Sequence, residues 1–231
     1  MGRKSLKAGA LTAPLPPVLV SVGNSEKSNL ITIGWTGILS TIPPRTYISV
    51  RRQRYSHKLL SENGEFVINL TTASMARQVD YAGIYTGAKV DKWEKCGFTP
   101  IPSEEVAPPT VKESPLSLEC RVTKVEDMGS HDVFFADIVR VTCDDAILDE
   151  SGRICLDRAG LLAYAHGEYF ALGEKLGKFG FSTDKTTEKR TGGNVKSTPS
   201  VPKENKKRDG KEEGKRPFYL DAPRTGRRKK K

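Results

Sequence analysis

Apolar residues in this chain recur mostly at every second position, in short runs broken by Gly, Pro, Asn and Asp, and that period predicts strands. The run VLVSV (residues 18–22), the polar stretch GNSEKSN and the β-branched LITIGW (30–35) read as a hairpin. After Pro43 and Pro44, residues 45–51 set Tyr47 and Ser49 against Ile48 and Val50, and EFVINL (65–70) is a further short strand. Two longer runs, 117–125 and 133–143, face each other across the turn MGSHD. The first alternates Leu118, Cys120 and Val122 against Glu119, Arg121 and Thr123. Short segments at 161–165 and 169–172 end the series. Helical spacing is confined to two places. Ser56 is a good N-cap for a helix of about two turns that turns Leu59 and Leu60 inward and stops at Asn63 and Gly64. A second helix, from about Thr72, carries Met75, Val79 and Ala82 on one face and runs into the loop YAGIYTGAKVDKW. Six or so antiparallel strands, two or three short helices and no repeated βα alternation predict a mainly β fold, a closed or partly closed barrel.

Charge divides the chain. Of its 231 residues, 38 are Lys or Arg and 28 Asp or Glu, a net +10, yet residues 1–181 hold 21 of each sign. Residues 182–231 hold 17 basic and 7 acidic side chains, 17 − 7 = +10, with six apolar residues among fifty. Too little apolar surface is present there to offset an ordering cost of roughly 1–2 kcal/mol per residue, so a disordered basic tail is expected. Pro14, Pro16 and Pro17 make residues 1–17 an extended lead-in, which leaves 18–181 as one domain. No apolar run approaches the ~18 residues of a membrane span, and no signal-peptide segment follows the basic N-terminus; the expectation is a cytoplasmic protein. The opening Met-Gly lacks the Ser or Thr of a myristoylation site, because Leu6 stands there. Cys96, Cys120, Cys143 and Cys155 show no paired spacing, and the three histidines fall in different segments, so no metal site is expected.

Two places have the composition for binding. RRQRYSHK (51–58) sets three arginines between a strand end and a helix start, where unpaired N–H groups, guanidinium forks and the Ser56 hydroxyl suit a phosphate monoester. The other reading is a solvated loop paired with local carboxylates. NLITIGWTGILSTIPP (29–44) surrounds a tryptophan with Gly34, Thr36 and Gly37, letting a flat ligand approach the backbone while Asn29, Thr32 and Thr36 offer polar contacts. A bend at a barrel corner explains the same residues. There is no GxGxxG and no GxSxG, so neither a Rossmann dinucleotide site nor a hydrolase elbow is indicated. A phosphate cradle without acid–base machinery suits a cofactor that carries its own chemistry.

The segments NLITIGWTGILSTIPPRTYISVRRQRYSHKLL and GEFVINLTT together resemble the flavin reductase-like family of FMN-binding split barrels, which includes flavoredoxins. Asn29, Thr32, Pro43, Pro44, Ser49, Arg51, Arg54, Tyr55, Ser56, Gly64, Phe66, Val67 and Asn69 fill its pattern in order, and the resemblance runs from about Pro14 to Phe181. At HGEYFALG the chain has Glu168 where members often carry a glycine. The resemblance implies a six-stranded antiparallel split β-barrel of Greek-key type that binds FMN at a homodimer interface. It implies hydride uptake from NAD(P)H and delivery of electrons to flavin or another small-molecule or protein acceptor. Arg51, Ser56 and His57 would hold the phosphate beside Ser49. Asn29, Thr32, Gly34, Trp35 and Thr36 would line the ribityl chain and ring, with Lys92 a lesser candidate. No protein side chain is expected to be catalytic, because the flavin does the chemistry. A flavoredoxin-type electron carrier is the alternative; the basic tail reads either as a solubilising extension without a partner or as a site of weak polyanion binding.

Overall fold

The computed structural model describes residues 2–183, so the predicted disordered tail lies almost wholly outside the described residues. Strands β1 (Val18–Gly23), β2 (Ser28–Ile33), β3 (Thr36–Thr41) and β4 (Pro44–Val50) lead to helix α1 (Tyr55–Asn63) and strand β5 (Glu65–Asn69). Helices α2 (Ala76–Ile84) and α3 (Lys92–Cys96) follow, then the two-residue strands β6 (Pro100–Ile101) and β7 (Thr110–Val111). The long strands β8 (Leu116–Asp127) and β9 (Asp132–Cys143) and the hairpin β10 (Leu162–Ala165), β11 (Glu168–Ala171) complete the order. This compact unit ends at Leu176; Gly177 opens a second unit, whose described residues, 177–183, include a 3₁₀ turn at Phe181–Thr183.

One antiparallel sheet carries the fold, in the order β2-β1-β5-β8-β9-β4-β3. Six of its strands line a common interior. Val18, Val20 and Val22 of β1 meet Ile31 and Ile33 of β2, Ile48 and Val50 of β4, Phe66 and Ile68 of β5, Cys120 of β8, and Phe134 and Ala136 of β9, with Leu59 and Leu60 of α1 in the same cluster. The six-stranded expectation therefore describes the barrel wall. The seventh strand, β3, pairs outside β4 and leaves Ile38 and Leu39 exposed, which is why the Gly-rich bend expected at 34–37 hides a strand.

Strand β1 is a continuous apolar run because both its faces are covered: the odd-numbered Leu19 packs with Leu30, Met75, Val79, Ala82 and Trp93 beneath α2 and α3. The β1–β2 and β8–β9 hairpins, the β4 alternation and the Gly64 left-handed cap (φ 66°) match the sequence expectations. Two local expectations do not. Helix α1 is capped by Arg54 with no side-chain hydrogen bond, and Ser56 lies inside the helix with its hydroxyl accepting from Asn29. Glu119, placed on the outer face by alternation, is fully buried, because residues 102–109 fold over it and the Glu104 and Glu105 amides donate to its carboxylate at 3.1 and 2.7 Å.

Candidate functional site

The sheet has a free edge at β2, and the binding surface lies along it. The start of α1 flanks one side of that edge and the end of α2 the other. Three ties hold α2 against β2. The Thr32 hydroxyl donates to Val79 O at 2.5 Å, Gly83 packs so close that a Cβ there would sit 3.3 Å from the Thr32 Cβ, and the Lys92 ammonium bridges Leu30 O and Ala82 O at 2.8 and 2.7 Å. Lys92 is only 3% exposed; its two carbonyl partners favour the ammonium, but burial and the nearby Arg54 charge outweigh them and lower it to about 8.

Two hollows follow the edge. A cleft of about 320 Å³ is lined by Thr32, Gly34 and Trp35 at the end of β2, Ser49, Arg51 and Arg54 after β4, Asp80 and Gly83 of α2, His131, and Tyr164 and Tyr169 of the β10–β11 hairpin. A Cβ at Gly34 would meet only Leu15, at 3.9 Å, so the absent side chain leaves that end open. A second hollow of about 430 Å³ is lined by Asn29, nearer the start of β2, with Tyr55, Gly87, Lys89, Asp91 and Lys92 among others. Asn29 is 4% exposed and its amide N–H donates to the Ser56 hydroxyl at 2.7 Å. Asp91 is occupied as the N-cap of α3, accepting from Trp93 N and Glu94 N.

Of the residues singled out from sequence, Thr32, Gly34, Trp35, Ser49 and Arg51 therefore line the cleft, Asn29 and Lys92 line the second hollow, and Ser56 stands behind Asn29. Thr36 donates to Tyr47 O at 2.6 Å and borders an adjoining apolar hollow shared with Trp35 and Ser49. His57 is turned elsewhere: its Nε2 is 2.7 Å from the Asp132 carboxylate, and its ring packs edge-on against Phe134. Asp132 also accepts from Arg52, whose guanidinium meets Asp127 too, and these bonds hold the Asp132 carboxyl below its usual value. Within the predicted arginine cluster, then, Arg52 is paired, whereas the side chains of Arg51 and Arg54 make no hydrogen bond or ion pair among the described residues.

His131 is the cleft residue that sequence reasoning missed. Its ring packs against Trp35 in a tilted arrangement, with centroids 4.7 Å apart and planes at 38°, and burial, then the Arg51 charge, lower its pKa. Its Nδ1 is 2.8 Å from the Ser130 hydroxyl. Across the cleft Tyr169 donates to Asp80 at 3.3 Å; burial, then the Asp80 charge, push the phenol up to about 12. Among the described residues no three His, Cys, Asp or Glu converge as a metal ion requires, and no helix is long and apolar enough to cross a membrane.

An edge-strand cleft between two helix ends, on a six-stranded split barrel, defines a flavin reductase-like fold. The chain belongs to the flavin reductase like domain family, whose model matches residues 11–173. Over 136 residues it is 38% identical to an uncharacterized protein of Archaeoglobus fulgidus, covering 59% of this chain and 76% of that one. Among solved structures it is similar to the flavoredoxin of Desulfovibrio vulgaris (Miyazaki F), with TM-score 0.73, 31% identity, and coverage of 79% of this chain and 100% of that chain. A flavoredoxin from Methanosarcina acetivorans gives TM-score 0.73 at 25% identity, with 81% of this chain and 100% of that chain covered. The family makes the protein's role flavin-related oxidoreduction.

Proposed function

We propose that the protein binds FMN along the free edge of β2 and uses it to take hydride from NAD(P)H and pass electrons to flavin or another acceptor. The observation that carries this reading is that residues of β2 line both hollows, Asn29 the second and Thr32 the cleft. Asn29 to Gly34 spans five residue steps, about 17 Å of extended chain, which suits a tricyclic ring bearing a phosphorylated five-carbon polyol. The open, flat end at Gly34, Trp35 and Thr32 suits the ring. The far end holds Asn29 and Lys92, with Ser56 behind Asn29 and Arg54, which also lines the cleft, at the adjoining start of α1; the phosphate belongs there in this reading, because Lys92 spends two of its three N–H bonds on carbonyls and keeps one for a ligand. His57, engaged by Asp132, would act on this end only by fixing the start of α1. Thr36 and Ser49 would border the ring through Trp35.

When bound, FMN supplies reversible hydride acceptance, so the protein's task is to hold and align two planar molecules and keep water off them. Tyr164, Tyr169 and Ile84 form the wall that would shield the ring. Assembly completes the enclosure in this reading. Strand β3 is an edge with Ile38 63%, Leu39 46% and Ile42 71% exposed, and we propose that a second copy covers it in a homodimer. The likeness to two flavoredoxins supports the second reading, an electron carrier for a protein partner with slow NAD(P)H turnover.

Anaerobic stopped-flow mixing of FMN-loaded protein with NADH and with NADPH tests both. Bleaching of the flavin within the time of a turnover supports the reductase. Slow bleaching with rapid reduction by a low-potential protein donor supports the carrier. Failure to bind FMN at micromolar concentration refutes both. Light scattering that finds a monomer with FMN bound refutes the dimer.

A further inference from the structure

We propose that Arg51 is a specificity-determining residue at the mouth of the cleft, reading an anionic group on the planar molecule that exchanges electrons with the flavin. This rests on the FMN reading above but assigns Arg51 to the flavin's partner rather than to the flavin phosphate. The cleft has two cationic poles. Both arginines line the cleft, but from different ends: Arg54, the N-cap of α1, directly precedes Tyr55 of the second hollow and Ser56, the partner of Asn29, whereas Arg51 follows Ser49, whose N–H donates to Trp35 O at 3.0 Å. A phosphate placed beside Asn29 and Lys92 is served by Arg54, which leaves Arg51 to the Trp35 end.

The Arg51 pole is built for a second ligand. Arg51 follows β4 directly and is exposed, and the carboxylates nearest in the chain fold, Asp127 and Asp132, are already taken by Arg52 and His57. Its charge is therefore uncompensated, with five N–H donors unspent. Trp35, 41% exposed, and the His131 ring tilted against it at 38° provide an aromatic surface beside that charge. The cleft's one acidic lining residue, Asp80, sits on the opposite wall and is engaged by Tyr169. An uncompensated guanidinium next to an aromatic surface recognises a planar ring that carries a negative group. Two sources share that chemistry: a quinone-like acceptor with a sulfonate or carboxylate, and the nicotinamide ring with its diphosphate.

The test is calorimetric binding to the full, oxidised, FMN-loaded chain, with naphthoquinone sulfonate, uncharged menadione and NAD⁺ as probes. The wild type should bind the sulfonate at least tenfold more tightly than menadione. Arg51→Gln should remove that preference, Arg51→Lys should keep part of it, and menadione affinity should stay within about twofold throughout. If Arg51→Gln weakens the sulfonate but not NAD⁺, the pole reads the acceptor; if NAD⁺ weakens as well, it reads the nicotinamide donor too. FMN titrations of the same variants give the second readout. Arg51→Gln should leave the FMN-to-riboflavin affinity ratio unchanged, whereas Arg54→Gln should lower it about tenfold or more. No charge preference in the wild type, or a lowered FMN-to-riboflavin ratio in Arg51→Gln, overturns the inference while leaving FMN binding intact. Absence of FMN binding in the wild type overturns the underlying reading with it.

Discussion

A single methyl group added at residue 87 probes the phosphate end of the site. Gly87 has no positive φ, so Gly87→Ala carries no backbone penalty, and on unfolded-state entropy alone it should stabilise the protein by about 0.4–1 kcal/mol. The structure predicts the opposite. A Cβ at 87 would stand 2.1 Å from Asn29 Oδ1, 2.5 Å from its Cγ and 2.8 Å from its Nδ2, whereas ordinary contact begins at 3.4 Å. The Asn29 amide would have to retreat by 3.4 − 2.1 = 1.3 Å, and it is 4% exposed with its N–H committed to Ser56 at 2.7 Å. Breaking that buried bond costs about 1–3 kcal/mol, and overpacking adds about 1–3 kcal/mol. The net expectation is a loss of about 1–6 kcal/mol in denaturant unfolding and FMN binding at least tenfold weaker by flavin fluorescence quenching. In a double-mutant cycle, Asn29→Ala should relieve Gly87→Ala, with a coupling of about 1 kcal/mol or more. A Gly87→Ala protein as stable as the wild type, with unchanged FMN affinity, would falsify the packing argument and the role of the Asn29–Ser56 pair.

Other outcomes follow from the same geometry. Burial lowers Lys92 to about 8 from 10.5, so between those values the unfolded chain holds a proton that the folded one does not; stability from this residue rises with pH across that window, and a Lys92→Met protein should lack the rise in unfolding midpoint. Asp132 is held below its usual 3.8, first by Arg52 and then by His57, so its contribution is present above that pH and lost as pH falls through the lower folded value. Asp132→Asn should therefore melt lower than the wild type at neutral pH, with the gap closing below about pH 3.8. Glu119→Ala strips two part-buried backbone amides of their acceptor and should cost about 1–3 kcal/mol while FMN affinity changes less than twofold. Deleting residues 184–231 should abolish salt-dependent retention on heparin and leave flavin binding intact; equal retention of both proteins would place the polyanion contact elsewhere.

The barrel was readable because its interior strands obey one rule. Val18, Ile48, Val50 and Phe66 alternate into one core, and the residues between them either meet solvent or a second apolar layer. Strand β3 broke that rule: it hangs outside β4, so Ile38 and Leu39 stand exposed and carry no alternation to read. Glu119 looked like an outward residue because nothing local announces that residues fifteen positions earlier will cover it. For the site, residue types near the β2 edge were legible, since small and polar side chains interrupt an apolar strand there. Partnerships were not. Ser56 looked like a cap until Asn29, 27 positions away, claimed its hydroxyl, and the Trp35–His131 ring contact spans 96 positions. Arg51, Arg52 and Arg54 were equivalent in sequence and became different once Asp127 and Asp132 arrived from β8 and β9.

The β4–β9 ladder has a kinetic meaning. Strands β8 and β9 pair through Asp127↔Asp132, a loop of a few residues, and β1 and β2 close almost as locally. Strand β4 must find β9 through pairs such as Ser49↔Val133 and Val50↔Asp132, more than 80 positions apart. Closing a long loop is slow because its entropy is spent before any contact rewards it. The mouth of the cleft, with Ser49 and Arg51 on one side and His131 on the other, is thus finished by the slowest pairing in the barrel. A chain emerging from the ribosome would hold its hairpins long before it could hold a cofactor, and flavin capture would serve as the signal that the last seam has closed.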